Sequence, residues 1–160
     1  MTNLEKGQSL FELMVAIAIS ALIIVALVSL TTNSIQNSTF SRNKARASTY
    51  AQQATEWLRG ERNNNIDTFI AKVQAAGLIK ICLNSLPSTI GSLVISTCSS
   101  GTTITETVFQ RDVVFTITSD TAPNLSVKEI LNADVTVSWT DSGGIHKVTN
   151  ATSFSDWRQR

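Results

Sequence analysis

The sequence predicts an α+β protein in which one long N-terminal helix precedes a small antiparallel β-sheet. Three observations predict it. Residues 10–30 (LFELMVAIAISALIIVALVSL) contain a single charged side chain, Glu12. Ala47, Tyr50, Ala51, Ala54, Trp57 and Leu58 then fall on one face at helical spacing. Residues 107–118 (TVFQRDVVFTIT) and 135–139 (VTVSW) are rich in the β-branched and aromatic side chains that suit a pleated sheet. At 160 residues the chain has room for one domain with a modest core. Its 13 Lys+Arg against 12 Asp+Glu leave no strong field to steer nucleic acid or an acidic partner. The mean hydropathy of +0.10 comes from the N-terminal block. Elsewhere Ser, Thr and Asn are frequent and aromatics few, a composition suited to a β-rich surface in water outside the cell.

The apolar block is justified first. At about 1.5 Å per residue it spans roughly the 30 Å hydrocarbon core of a bilayer. A core helix of a soluble protein would be polar on one face, whereas residues 13–28 are apolar on all sides except at Ser20. A cleaved secretory signal would show an apolar run of about 7–15 residues after a basic stretch, ending at a small-x-small site. Here Lys6 is offset by Glu5, and the block continues into LTTNSIQNST. A transmembrane helix follows. Glu12 costs about 2.5 kcal/mol or more inside it unless a partner is found. Two readings stand: the carboxylate stays hydrated near the interface, or it pairs with a cation from a neighbouring subunit.

The run Lys6-Gly7-Gln8-Ser9-Leu10-Phe11-Glu12 leads directly into this helix. It resembles the type IV prepilin family, which includes the type II secretion pseudopilins: a short basic leader ending in Gly, an apolar segment and a Glu. The resemblance implies that a membrane-embedded prepilin peptidase cuts between Gly7 and Gln8 and methylates the new amine of Gln8. Glu12 then becomes the fifth mature residue, and its carboxylate pairs with the Gln8 amine of an adjacent subunit, so that each buried charge has a partner. Gly7 suits the cut because a residue without a side chain lets a protease approach the backbone closely. The implied organisation is a leader at 1–7, a transmembrane helix at 8–30, an amphipathic continuation of the stalk at 31–62 and an extracytoplasmic β-rich domain at 63–160.

The sequence departs from the family pattern in two places, the first bearing on methylation and the second pointing away from a major subunit. Gln8 stands where Phe is usual, and Ser29 lies near the place where many major pilins carry a helix-bending Pro; the only prolines are Pro87 and Pro123. Lys6 precedes the anchor while Arg42, Lys44 and Arg46 follow it, so charge alone does not orient the chain. The resemblance sets the N-terminus in the cytoplasm, one pass through the inner membrane and the remainder outside, in a cell-surface filament or pseudopilus. The implied partners are the prepilin peptidase, other pilin subunits through the N-terminal helix and, indirectly, an assembly platform protein and ATPase. Nucleic acid is a partner only if the filament serves DNA uptake, and no small-molecule substrate is expected. The alternative is a bitopic membrane protein whose outer domain binds a ligand or partner without polymerising.

Beyond residue 30 the pattern stays helical to about Arg62, with Arg42, Lys44, Arg46, Gln52, Gln53, Glu56, Arg59 and Arg62 on the wet face. Asn63, Asn64 and Asn65 end the helix. Asp67 is expected to cap a short helix carrying Phe69, Ile70 and Val73, with Gly77 as its stop. Residues 78–101 read as a connecting region with one or two short strands, and 120–124 as loop; 127–133 fits a strand or a helical turn. Asp141-Ser142-Gly143-Gly144 supplies a hairpin turn, and 145–151 returns as the antiparallel partner. Phe154 and Trp157 are expected to pack on the sheet or stalk.

Cys82 and Cys98, the only cysteines, suggest one disulfide in an oxidising compartment. His146 lies beside the hairpin turn with no Cys or His at ligand spacing, so neither metal nor cofactor is expected. No phosphate loop, nucleophile elbow or other catalytic constellation is present, and the protein is read as a non-enzyme. Arg111 with Asp112, and Asp134 near Glu129, are expected to be solvated charges on outer strand faces. Arg42, Lys44, Arg46, Arg59 and Arg62 read as a wet helix face, with DNA phosphates as the alternative contact. Asn37, Asn124 and Asn150 begin N-x-Ser/Thr triplets of the kind that arise by chance in so Ser/Thr-rich a chain.

Overall fold

The computed structural model describes residues 4–99, 101–120 and 128–155, with side chains for 10–99, 101–118 and 130–155. The chain forms two compact units, Met1–Asn43 and Lys44–Arg160. Helix α1, Leu4–Asn64, runs through 61 residues without interruption and contributes to both.

In the first unit the large apolar side chains of residues 10–30 are all exposed, from 40% at Val15 to 72% at Leu22. The helix is long and apolar enough to cross a membrane. Three of its hydroxyls bond back to the helix: Ser20 Oγ donates to the Ala16 carbonyl at 2.8 Å, Thr31 Oγ1 to that of Leu27 at 2.8 Å, and Thr32 Oγ1 to that of Val28 at 2.9 Å. That back-bonding lets a hydroxyl sit in an apolar medium without any outside partner.

The second unit is built on the other end of α1. Ala47, Ala51, Ala54 and Leu58 are fully buried, while Tyr50 and Trp57 pack partly buried at the edge of the same core, as the stripe predicts. Helix α2 spans Ile66–Ala76. Its cap is Asn65, whose Oδ1 accepts the Thr68 N–H at 3.0 Å; Asp67 lies in the first turn, two positions too late for the capping role expected of it. Gly77 ends the helix at φ 57°, where its N–H donates to the Val73 carbonyl.

Four strands make one antiparallel sheet in the order β1-β2-β3-β4. They are β1 (Ile81–Cys82), β2 (Gln110–Asp120), β3 (Lys128–Asp141) and β4 (Gly144–Ser155), with a 3-10 turn at Ile90–Ser92 between the first two. Strand β2 starts later than the β-branched run suggests. Residues 107–109 are held in a turn, because the Thr107 N–H donates to the Ile104 carbonyl and the Ile104 N–H to that of Phe109. Of the ambiguous stretch 127–133, residues 128–133 are strand, and Asp120 closes β2; residues 121–124, Val127 and Trp157 lie outside the described residues. The hairpin closes at Asp141 opposite Gly144, as expected from its sequence.

Alternation then decides the faces. Val113 and Phe115 of β2, Leu131, Ala133, Val135, Val137 and Trp139 of β3, and Phe154 of β4 are buried in one core with the α1 stripe and α2. Phe69 of α2 stacks edge-on against Phe115 and Phe154, and Phe109 sits between Tyr50 and Trp139.

Candidate functional site

Gly7, Gln8 and Glu12 all lie on α1, with positions 8 and 12 one turn apart. The Gly7–Gln8 bond is therefore helical. A protease needs extended backbone, so cleavage there requires local unwinding, which Gly7 eases because Gly is about 1 kcal/mol less favourable than Ala in a helix. Glu12 is exposed on the bare apolar surface, and no described side chain pairs with it.

Cys82 and Cys98 are joined in a disulfide with Cα atoms 4.5 Å apart, fastening β1 to the chain that follows the 3-10 turn. The Cys82 N–H adds a hydrogen bond to the Ser96 carbonyl at 2.7 Å.

Arg111 and Asp112 are not the solvated pair the sequence suggests: each is only 2% exposed. Arg111 points to the inner face of β2, where Nε donates to the Leu83 carbonyl at 2.8 Å and Nη1 to the Tyr50 carbonyl at 2.9 Å and Gln53 Oε1 at 3.3 Å. Its guanidinium ties α1 to the sheet, and burial brings its pKa down to about 10, with nearby Tyr50 acting the other way. Asp112 points to the opposite face, covered by Lys80, whose Nζ sits 3.0 Å from Oδ1. Burial pushes the Asp112 carboxyl up from its ordinary range, and the bond and charge of Lys80 partly oppose that. Neither residue is placed for acid-base work.

His146 Nε2 meets Asp141 Oδ1 at 2.9 Å at the hairpin, and the Gly143 N–H donates to the same oxygen at 2.8 Å. Those two bonds, the backbone one first, hold the Asp141 carboxyl below its ordinary value. Among the described residues no three metal-ligating side chains come together. Asp134 is exposed on the outer face of β3, and the Glu129 side chain lies outside the described ones.

Of the five basic residues of the wet helix face, two are committed to the fold. Arg59 pairs with Glu56 at 2.6 Å and reaches Thr152 Oγ1 at 3.4 Å. Arg62 lies over the Phe154 ring and donates to the Ser155 carbonyl at 3.3 Å. Asn150 donates to Thr55 Oγ1 at 3.1 Å, a bond inside the fold. The sequence reading also passes over Glu61, which is 8% exposed, accepts the Ile90 N–H through Oε2 at 2.6 Å and so anchors the 3-10 turn to α1. Its position three residues after Leu58, on the buried face, is the signal that marks it.

These observations define an α+β, pilin-like architecture: a long N-terminal helix, apolar in its first half, whose second half packs on a four-stranded antiparallel sheet. Within it, residues 2–28 match the family model of the prokaryotic N-terminal methylation motif, the type IV prepilin signature. The match spans Gly7, Gln8 and Glu12 and ends well before the sheet. Comparison with curated proteins and with solved structures gives no match.

Proposed function

We propose that the chain is a structural subunit, and a minor one, of a type IV pilus-like filament or a type II secretion pseudopilus. In this reading prepilin peptidase cuts between Gly7 and Gln8 and methylates the Gln8 amine, and the mature chain assembles through its first helix. The observation that carries it is Glu12: a lone carboxylate on a bare apolar surface, inside the methylation motif, with no partner among the described side chains. A charge of that kind needs a cation from elsewhere.

The freed Gln8 amine of an adjacent copy supplies that cation. Before assembly, lipid covers residues 10–30; during assembly, neighbouring helices replace the lipid, so van der Waals packing holds them and the amine–carboxylate pair sets their register. The sheet domain then lies outside the inner membrane, where an oxidising compartment suits the Cys82–Cys98 bond. A platform protein and ATPase act on the helix and supply the work. The subunit's part is mechanical and calls for no nucleotide or metal of its own.

Co-expression with the matching prepilin peptidase tests the reading. Intact-mass spectrometry should show loss of residues 1–7 with a methyl group on the new terminus, and Gly7→Val should block the cut. A chain that stays whole beside an active peptidase supports instead the bitopic protein that never polymerises.

A further inference from the structure

Strand β4 is an edge of the sheet, 12 residues long and paired to β3 residue for residue, with no bulge and no proline. Its hairpin closes on the bonded pair Asp141 and Gly144, and bonded pairs alternate from there. The backbone N–H and C=O groups of Ile145, Lys147, Thr149, Ala151 and Ser153 therefore point away from β3, and none of them bonds to another described residue. The same edge is used only at its end, where the Ser155 carbonyl accepts Arg62. On the other side of the sheet β1 covers no more of β2 than Asp112 and Val113, with the Leu83 N–H taking the Arg111 carbonyl beside them. Phe115, Ile117 and Ser119 follow in the same outward phase, and their N–H and C=O groups are unbonded among the described residues.

A long bare edge is a template for another strand, and sheets blunt such edges with charges, prolines, bulges or a covering element. Among the outward residues of β4 only Lys147 is charged. Apolar side chains also lie bare at both rims. Ile117 is 42% exposed although it alternates onto the core face of β2, Leu78 and Ile79 lead into β1 at 75% and 52%, and Ile145 opens β4 at 80%. The anchor limits what can pair there. Residues 44–64 of α1 cross the sheet from Arg111, which bonds the Tyr50 carbonyl, to Ser155, which bonds Arg62. Pairing β4 with β4 of a second copy in one sheet needs a two-fold axis along the sheet normal, which reverses that crossing and the end at which the apolar block is attached. Copies held in one membrane by that block share one direction. Strands β2 and β4 also run in one direction, since each is antiparallel to β3.

We propose that copies of this chain join side by side, β4 of one pairing in parallel with the free half of β2 of the next. The register follows from the exposed apolar residue. Ile117 sits beside the neighbouring copy's Val148, the apolar residue on the core face of β4's free run, and each covers the other. The Ile117 N–H then donates to the Lys147 carbonyl and its carbonyl accepts the Thr149 N–H, in the slanted pattern of parallel strands. On the outer face Thr116 meets Lys147 and Thr118 meets Thr149, all exposed, and no like charges oppose one another. A head-to-tail contact of this kind adds copies in a row instead of closing a dimer. It joins sheet domains, and it requires one shared membrane orientation but not cleavage at Gly7.

The test co-expresses full chains carrying Thr118→Cys with full chains carrying Thr149→Cys in one membrane, without prepilin peptidase, and oxidises them with copper phenanthroline. Non-reducing gels should show at least about tenfold more linked dimer than a mixture of Thr118→Cys with Thr140→Cys, because opposed residues on paired strands bring their Cβ atoms within disulfide reach. Thr140 is exposed on the same face of β3, away from either edge, and so reports chance collision. Each variant alone should stay at the collision level. Thr116→Cys in place of Thr118→Cys moves the thiol out of register and should lower the yield severalfold. Ala151→Pro added to the Thr149→Cys chain removes an outward N–H, leaves the bonds to β3 in place and should return the link to the collision level. The proposal is overturned if the mixture does not exceed the Thr140→Cys control, if either variant alone links as well as the mixture, if Thr116→Cys links as well as Thr118→Cys, or if Ala151→Pro changes nothing. With the peptidase absent, none of these results depends on the prepilin reading.

Discussion

Residues 10–30 and 44–64 belong to one helix and differ in where their side chains find partners. The first stretch shows apolar surface on every face and carries one carboxylate with no described partner. The second buries a single face, Ala47, Ala51, Ala54 and Leu58, and three buried polar residues around it are bonded within the unit: Arg111 to the carbonyls of Leu83 and Tyr50, Glu61 to the Ile90 N–H, Thr55 to the Ala51 carbonyl. Backbone and geometry are shared, so the difference lies wholly in the side chains. It separates a segment that completes itself from one that must be completed by lipid or by other chains.

The contrast is broken most severely at Arg111. Arg111→Met leaves the Leu83 and Tyr50 carbonyls and Gln53 Oε1 without their donor, and a loss of about 3 kcal/mol or more in unfolding free energy is expected by chemical denaturation. A change within the error of the measurement would show that water replaces the guanidinium, and that the second stretch is less self-sufficient than its bonds suggest. Next in size is the disulfide. Its cysteines are 16 residues apart, and replacing both by Ser should cost about 2–3 kcal/mol.

The smallest effect is a pH dependence at Asp112. Folding raises this carboxyl above 3.8, so its contribution to stability is fullest below that value and is lost as pH rises through the folded pKa. Asp112→Asn removes the titration. The stability of the variant relative to the native chain should therefore rise between about pH 4 and about pH 7. Parallel curves would mean that Lys80 compensates the buried charge completely.

Much of this was legible in the residues, and what was not has a common cause. Helical spacing marks the stripe from Ala47 to Leu58 because a buried face repeats with the turn. β-branched runs and the Asp141 to Gly144 turn mark the hairpin because both respond to local backbone preference. The cap at Asn65 was missed by two positions, since Asn and Asp both suit that role and only the first turn's geometry chooses between them. Arg111 and Asp112 were misread because strand alternation assigns them to opposite faces and says nothing about Lys80 covering one and α1 the other. Glu61 depends on a contact across 29 residues, and no local pattern encodes that. The N-terminal motif is the opposite case: its information is a short run of residue types, and the comparison with the methylation motif reads the same run.

The most direct measurement of the central claim is Glu12→Gln in the full chain, co-expressed with its prepilin peptidase and the native filament. The account predicts an unchanged unfolding midpoint for the sheet domain together with a fall of at least about tenfold in filament incorporation, because an amine on the neighbouring helix is left buried without its counter-charge. Incorporation at the native level, or a destabilised sheet domain, would contradict it.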